Sequence, residues 1–211
     1  MRAGIRPIAT GEDVIVSPVD GAISQLGPII GQSIVQAKGR SYTVEELLGG
    51  DKALAEQYQQ GQFATIYLSP RDYHRIHMPI AGKLKSMRYV PGKLFSVNPR
   101  TARAVPRLFA RNERVICVFD TDFGDVTLVL VGAIFVGSME TVWAGQITPP
   151  YGKSIQNWTY EGDEALSFEK GQEMGRFNMG STVVMLLPVG MKPFNQAWQP
   201  EEKIQLGQAM N

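Results

Sequence analysis

Hydrophobic and polar positions alternate in short bursts along this chain, and turn residues rather than long polar spacers separate the bursts. Val14-Ile15-Val16 is a brief apolar run that stops at Ser17-Pro18-Val19-Asp20-Gly21, after which Ala22 to Gly27 resumes an extended pattern. Proline followed by Asp-Gly is turn chemistry, so the segment reads as strand, turn, strand. The period changes between Thr43 and Gln60. There Val44, Leu47, Leu48, Leu54 and Tyr58 recur at near-helical spacing, with Glu45 and Glu46 early and Gly49-Gly50 between. Two short helices capped by Thr43 and Asp51 are expected. Phe63 to Leu68, Gly82 to Val90, Arg114 to Asp120, Val126 to Val136 and Val183 to Pro188 read as strands, with Asp122-Phe123-Gly124-Asp125 as a hairpin connection. The expected class is α+β and β-rich, with a few short helices.

Composition supports many short elements, because 22 glycines and 13 prolines punctuate the 211 residues. A chain of this length buries roughly 70% of the surface it exposes when unfolded, so it needs no disulfide or metal staple. No linker, repeat or low-complexity block divides it, and residues 1–211 are expected to form one domain. The longest apolar stretch, Val126 to Val136, is far shorter than the ~20 residues a membrane-spanning helix needs. Charge excludes another class. With 21 basic against 20 acidic side chains there is no electrostatic footprint for nucleic acid. The one cysteine, Cys117, lies inside an apolar run and reads as a buried, inert thiol. No secretory signal pattern opens the chain, which permits a reducing compartment.

Candidate chemistry is sparse. Both histidines, His74 and His77, stand in one segment three residues apart, a spacing that suits a metal pair or a catalytic pair. No second cysteine or third histidine supports metal, so no metal is expected. Asp20, read as exposed on its turn, a histidine, and Ser181 before an apolar strand supply the parts of an Asp/His/Ser relay, although spacing alone discriminates little. Each has a blander use: an Asp before Gly is ordinarily a turn former, and Gly180-Ser181 ordinarily a bend. Arg111-Asn112-Glu113-Arg114 would ordinarily be a solvated charge cluster. Lys170 to Phe177 lacks both phosphate-loop glycine spacings, which leaves little support for a nucleotide site.

Taken in order, Ser17-Pro18-Val19-Asp20-Gly21, the run Tyr67 to Pro79 with both histidines, Phe95-Ser96-Val97-Asn98, Phe109 to Arg114 and Gly175-Arg176-Phe177 through Gly180-Ser181-Thr182 resemble the phosphatidylserine decarboxylase family, bacterial type, along nearly the whole chain. The resemblance implies a barrel-like sheet core similar to biotinyl and lipoyl carrier domains, with a few short peripheral helices. It also implies a proenzyme that breaks its own Gly180–Ser181 bond into a β chain, 1–180, and an α chain, 181–211. Ser181 would become a pyruvoyl group, a covalent cofactor serving as the electron sink when phosphatidylserine loses CO₂ to give phosphatidylethanolamine. Asp20, His77 and Ser181 match the family's self-cleavage triad, and His74 its second histidine, tied to decarboxylation and substrate handling.

The chemistry of these residues is consistent with that scheme. A serine hydroxyl is a weak nucleophile, so His77 would remove its proton while Asp20 orients the ring. Gly180 lacks a Cβ and clears the approach to its carbonyl. Arg71, Arg75 and Lys170 are candidate phosphate or carboxylate contacts. Met179 replaces the family's usual leucine, a size-conserving exchange. The family's membrane-associating N-terminal segment is not found in this sequence; the expected partners are a phospholipid substrate, a membrane surface and the chain's own two fragments, with a homodimer left open. The expected location is the cytoplasmic side of the cell membrane, with Trp198 a candidate for interfacial contact. Three alternatives stand beside this reading: a non-processing β-rich binding module, a decarboxylase of a related serine phospholipid, and an ester hydrolase, which the missing G-x-S-x-G spacing disfavours.

Overall fold

The computed structural model describes residues 5–134, 138–162, 165–178 and 181–211. Met179 and Gly180, singled out above, lie outside them, as does the end of the expected strand at Val136. In chain order the first elements are strands β1 (Gly21–Pro28), β2 (Ser33–Ala37) and β3 (Arg40–Thr43), helices α1 (Val44–Leu47) and α2 (Lys52–Glu56), then β4 (Gln62–Tyr67), β5 (Arg75–His77) and β6 (Gly82–Val90). Helices α3 (Pro99–Ala104) and α4 (Leu108–Arg111) precede β7 (Arg114–Thr121), β8 (Gly124–Val131), β9 (Met139–Thr141), β10 (Gly145–Thr148) and β11 (Gln156–Thr159). The last are β12 (Ser167–Phe168), β13 (Glu173–Phe177), β14 (Thr182–Leu187) and β15 (Lys203–Ile204).

The expected helices form where local chemistry dictates them. Thr43 accepts from the Glu46 amide while the Glu46 carboxylate accepts from the Thr43 amide, a complete capping box for α1. Asp51 caps α2 by accepting from the Leu54 amide. The sheet follows as strongly from burial. β14 is buried at every position and lies between β8 and β4, hydrogen-bonded to both, as a central strand with two covered faces requires.

The large sheet runs β11-β6-β7-β8-β14-β4-β1-β15, with β12 added against β6. A smaller sheet runs β10-β9-β13-β5, and β2 pairs with β3 alone. The β-rich α+β expectation is met, with sheets that are not closed. Among the described residues no helix is long and apolar enough to cross a membrane. Cys117 is buried in β7 as expected, and burial pushes its thiol pKa up.

One reading needs correction here. The Arg111-to-Arg114 cluster is not solvated, because Asn112, Glu113 and Arg114 are buried. Arg114 donates from Nε to the Leu47 carbonyl (2.6 Å) and from Nη2 to that of Glu46 (2.8 Å), satisfying carbonyls at the end of α1. Burial lowers its pKa to about 10. Asn112 donates to the carbonyls of Phe95 and Gly132 and accepts from the Phe95 amide. Asn112 and Arg114 tolerate burial because they find these partners, an unmet buried polar atom costing about 1–3 kcal/mol. Trp198, the candidate for interfacial contact, is partly buried and packs against the core.

Candidate active site

The site is built at one end of the central strands. Tyr67, the last residue of β4, is in register with Ala22 of β1 on one side and with Thr182 of β14 on the other. Just beyond, Leu68 exchanges backbone hydrogen bonds with Ser181, donating to its carbonyl at 2.8 Å and accepting from its amide at 3.2 Å. Gly21 is needed on the opposite side, where a Cβ would sit 2.5 Å from the Tyr67 carbonyl oxygen. Asp20 and Ser181 therefore flank the same end of β4, on backbones about 10 Å apart at ordinary strand spacing. The connection to Ser181 has its own consequence. β13 belongs to the small sheet and β14 to the large one, so the chain changes sheets between Phe177 and Thr182.

Asp20 is not the exposed turn residue expected from the sequence; it is 8% exposed. Arg6 grips its carboxylate, donating from Nε to Oδ1 (2.9 Å) and from Nη2 to Oδ2 (2.6 Å), and the Leu206 amide donates to Oδ1 at 2.8 Å. Burial by itself would raise the Asp20 pKa. The hydrogen bonds from Arg6 and Leu206, with the charges of Arg6 and His77, outweigh it and hold the carboxyl below the usual range.

His77 is fixed from two directions. Its amide donates to the Pro18 carbonyl at 2.9 Å, tying β5 to the turn that carries Asp20. Its Nδ1 lies 2.7 Å from the Gly171 carbonyl oxygen. A carbonyl only accepts, so Nδ1 carries the hydrogen and Nε2 the basic lone pair. The Tyr73 hydroxyl stands 3.4 Å from that Nε2. Gly171, rather than Asp20, thus orients the ring; Asp20 has its partners in Arg6 and Leu206 and reaches His77 through its charge.

His74 sits beside the sheet crossing, its carbonyl accepting from the Phe177 amide at 3.0 Å. Its Nε2 is buried and has no hydrogen-bond partner among the described residues. Ser181 is fully buried. The suggested cationic contacts differ among themselves. Arg75 is paired with Glu173 at 2.7 Å, Lys170 donates to the Gly11 carbonyl at 2.5 Å, and Arg71 is exposed. Sequence reasoning missed Arg6, Tyr73 and Gly171 as neighbours of the site. Tyr73 had a signal, four residues before His77; Arg6 and Gly171 had none, since fold geometry alone brings them there.

Comparison with known proteins decides the family. A family model described as phosphatidylserine decarboxylase matches residues 1–210. The chain belongs to the phosphatidylserine decarboxylase family. A protein of Marinobacter nauticus is 58% identical over 213 residues, covering 99% of this chain and 73% of its own. One of Delftia acidovorans is 59% identical over 212 residues, covering 100% and 73%. One of Nitrosococcus oceani is 58% identical over 205 residues, covering 97% and 67%. All three are named phosphatidylserine decarboxylase proenzyme. Membership of this family makes the chain a decarboxylase.

Proposed function

We propose that the chain converts phosphatidylserine to phosphatidylethanolamine at the cytoplasmic face of a membrane, using a pyruvoyl group made from its own Ser181. The observation that carries this reading is the position of Ser181, fully buried where the chain passes from the small sheet to the large one. His77 Nε2, the basic nitrogen, removes the hydroxyl proton, Oγ of Ser181 attacks the Gly180 carbonyl, and the C–N bond breaks as the Ser181 nitrogen takes up that proton, exchanging the amide for an ester. Loss of the Ser181 α-proton then expels the ester oxygen as the new C-terminal carboxylate of the β chain. The dehydroalanine left behind tautomerises and takes up water, and ammonia departs.

The residues present suit such a group. His74 Nε2 and the Thr182 hydroxyl are both buried without partners among the described residues, one beside the sheet crossing and one next along the chain from Ser181. Buried polar atoms of this kind are expected to meet polar groups of a cofactor or substrate. When formed, the pyruvoyl carbonyl accepts the electron pair left as CO₂ departs. His74, whose Nε2 has no hydrogen-bond partner among the described residues, would hold the proton that replaces the lost carboxylate.

Mass spectrometry tests this reading. Under denaturing conditions the matured protein is expected as two chains, the smaller comprising residues 181–211 with a blocked N-terminus that reacts with hydroxylamine. Under native conditions they remain one particle, because β14 stays hydrogen-bonded between β4 and β8 and β15 against β1. An unsplit chain that still produces phosphatidylethanolamine would overturn it. His74→Ala is expected to split normally yet decarboxylate about 10²–10⁴-fold more slowly, the usual worth of a positioned acid. Normal CO₂ release by that variant would remove His74 from the role.

A further inference from the structure

The N-terminal segment ends up against both groups that set the self-cleavage chemistry. Arg6 holds Asp20 through two charge-assisted hydrogen bonds on its fork, and the ion pair is largely withdrawn from solvent. Two residues later Ile8 packs on Gly171, the residue whose carbonyl orients His77: a Cβ on Gly171 would lie 2.7 Å from Ile8 Cγ1, and its φ of +80° itself favours glycine. Ala9 then donates to the Gly207 carbonyl at 2.9 Å, tying the segment to the stretch whose Leu206 amide completes the Asp20 shell.

We infer that Arg6 is a positioning residue for self-cleavage, acting through Asp20, which its guanidinium keeps in place and in the charged form that supports His77. This inference rests on the reading that the chain splits at Ser181. When His77 takes the Ser181 proton its ring becomes a cation, and the negative charge of Asp20 stabilises that cation. Asp20 is buried, so without the Arg6 fork desolvation favours its neutral form, and the support fails at acidic pH first. The titratable groups that feel Asp20 are Arg6, His77 and the Tyr73 hydroxyl; of these only Arg6 hydrogen-bonds to it. The argument does not depend on Asp20 touching His77, since the charge acts across the gap.

The test follows splitting of the full chain, freshly synthesised as precursor, by denaturing gel at pH values from 5 to 9. Arg6→Gln is expected to shift the acid limb of the splitting rate upward by about one pH unit, a tenfold slowing on that limb, with a smaller loss at pH 8. Arg6→Lys, which keeps the charge without the fork, is expected to return the limb close to its original position, and in an Asp20→Asn background Arg6→Gln should add no further slowing. A pH-independent loss that Arg6→Lys does not rescue would reduce Arg6 to a structural contact. Unchanged or faster splitting would also overturn the inference, as would an Arg6→Lys limb displaced as far as that of a folded Arg6→Gln. A wild-type chain that never splits fails the self-cleavage reading instead, so the two failures are distinguishable.

Discussion

Ser181→Ala is expected to yield one unsplit chain of 23.3 kDa with no measurable decarboxylation. The loss is expected to be total in both assays because the proposed route draws on one oxygen atom for both: without Oγ no ester can form, and without the ester no ketone in the chain. The fold should survive. The backbone bonds between Ser181 and Leu68 do not involve the side chain, and the buried hydrophobic run of β14 is untouched. Thermal unfolding and sedimentation of the variant should therefore match those of a folded protein, which separates loss of chemistry from loss of structure. Decarboxylation by an unsplit Ser181→Ala chain would end the serine-derived account.

His77→Gln is expected to slow splitting by about 10²–10⁴-fold, the usual contribution of a positioned general base. Glutamine keeps a donor that can reach the Gly171 carbonyl, so the contact between β5 and the 171 turn is retained while the basic nitrogen is lost. The half-time for appearance of the smaller chain measures the effect. Wild-type splitting in this variant would transfer the base function elsewhere, with His74 the remaining imidazole of the chain. The two histidine predictions are opposite in form: on the proposed reading His77→Gln impairs formation of the group and His74→Ala its use. That contrast makes the pair more discriminating than either alone.

The elements legible in the sequence were those whose causes are local. Thr43 and Asp51 each cap a helix by a contact spanning three residues, and both were visible as caps. The β7–β8 hairpin was visible because Asp122-Phe123-Gly124-Asp125 interrupts two apolar runs, and the structure places Thr121 opposite Gly124. The 111–114 cluster was misread for the converse reason. Arg114 is charged and would ordinarily be exposed, but the carbonyls that satisfy it belong to Glu46 and Leu47, separated by 68 and 67 residues. The expected turn at Asp20 was located correctly and its burial was not, since Leu206, 186 residues away, covers it.

The amino-acid sequence by itself determined the chemical inventory: two histidines, one candidate nucleophile before an apolar strand, a β-rich pattern of short elements, and motifs in the order of one enzyme family. Tertiary structure alone decided which nitrogen of His77 is basic, because the carbonyl that binds the other one is 94 residues distant. It also decided that Asp20 pairs with Arg6 rather than with the ring. The physical reason is common to both. Propensity and periodicity act over a few residues, whereas a side chain's protonation and orientation depend on whichever groups sheet packing brings within hydrogen-bond distance.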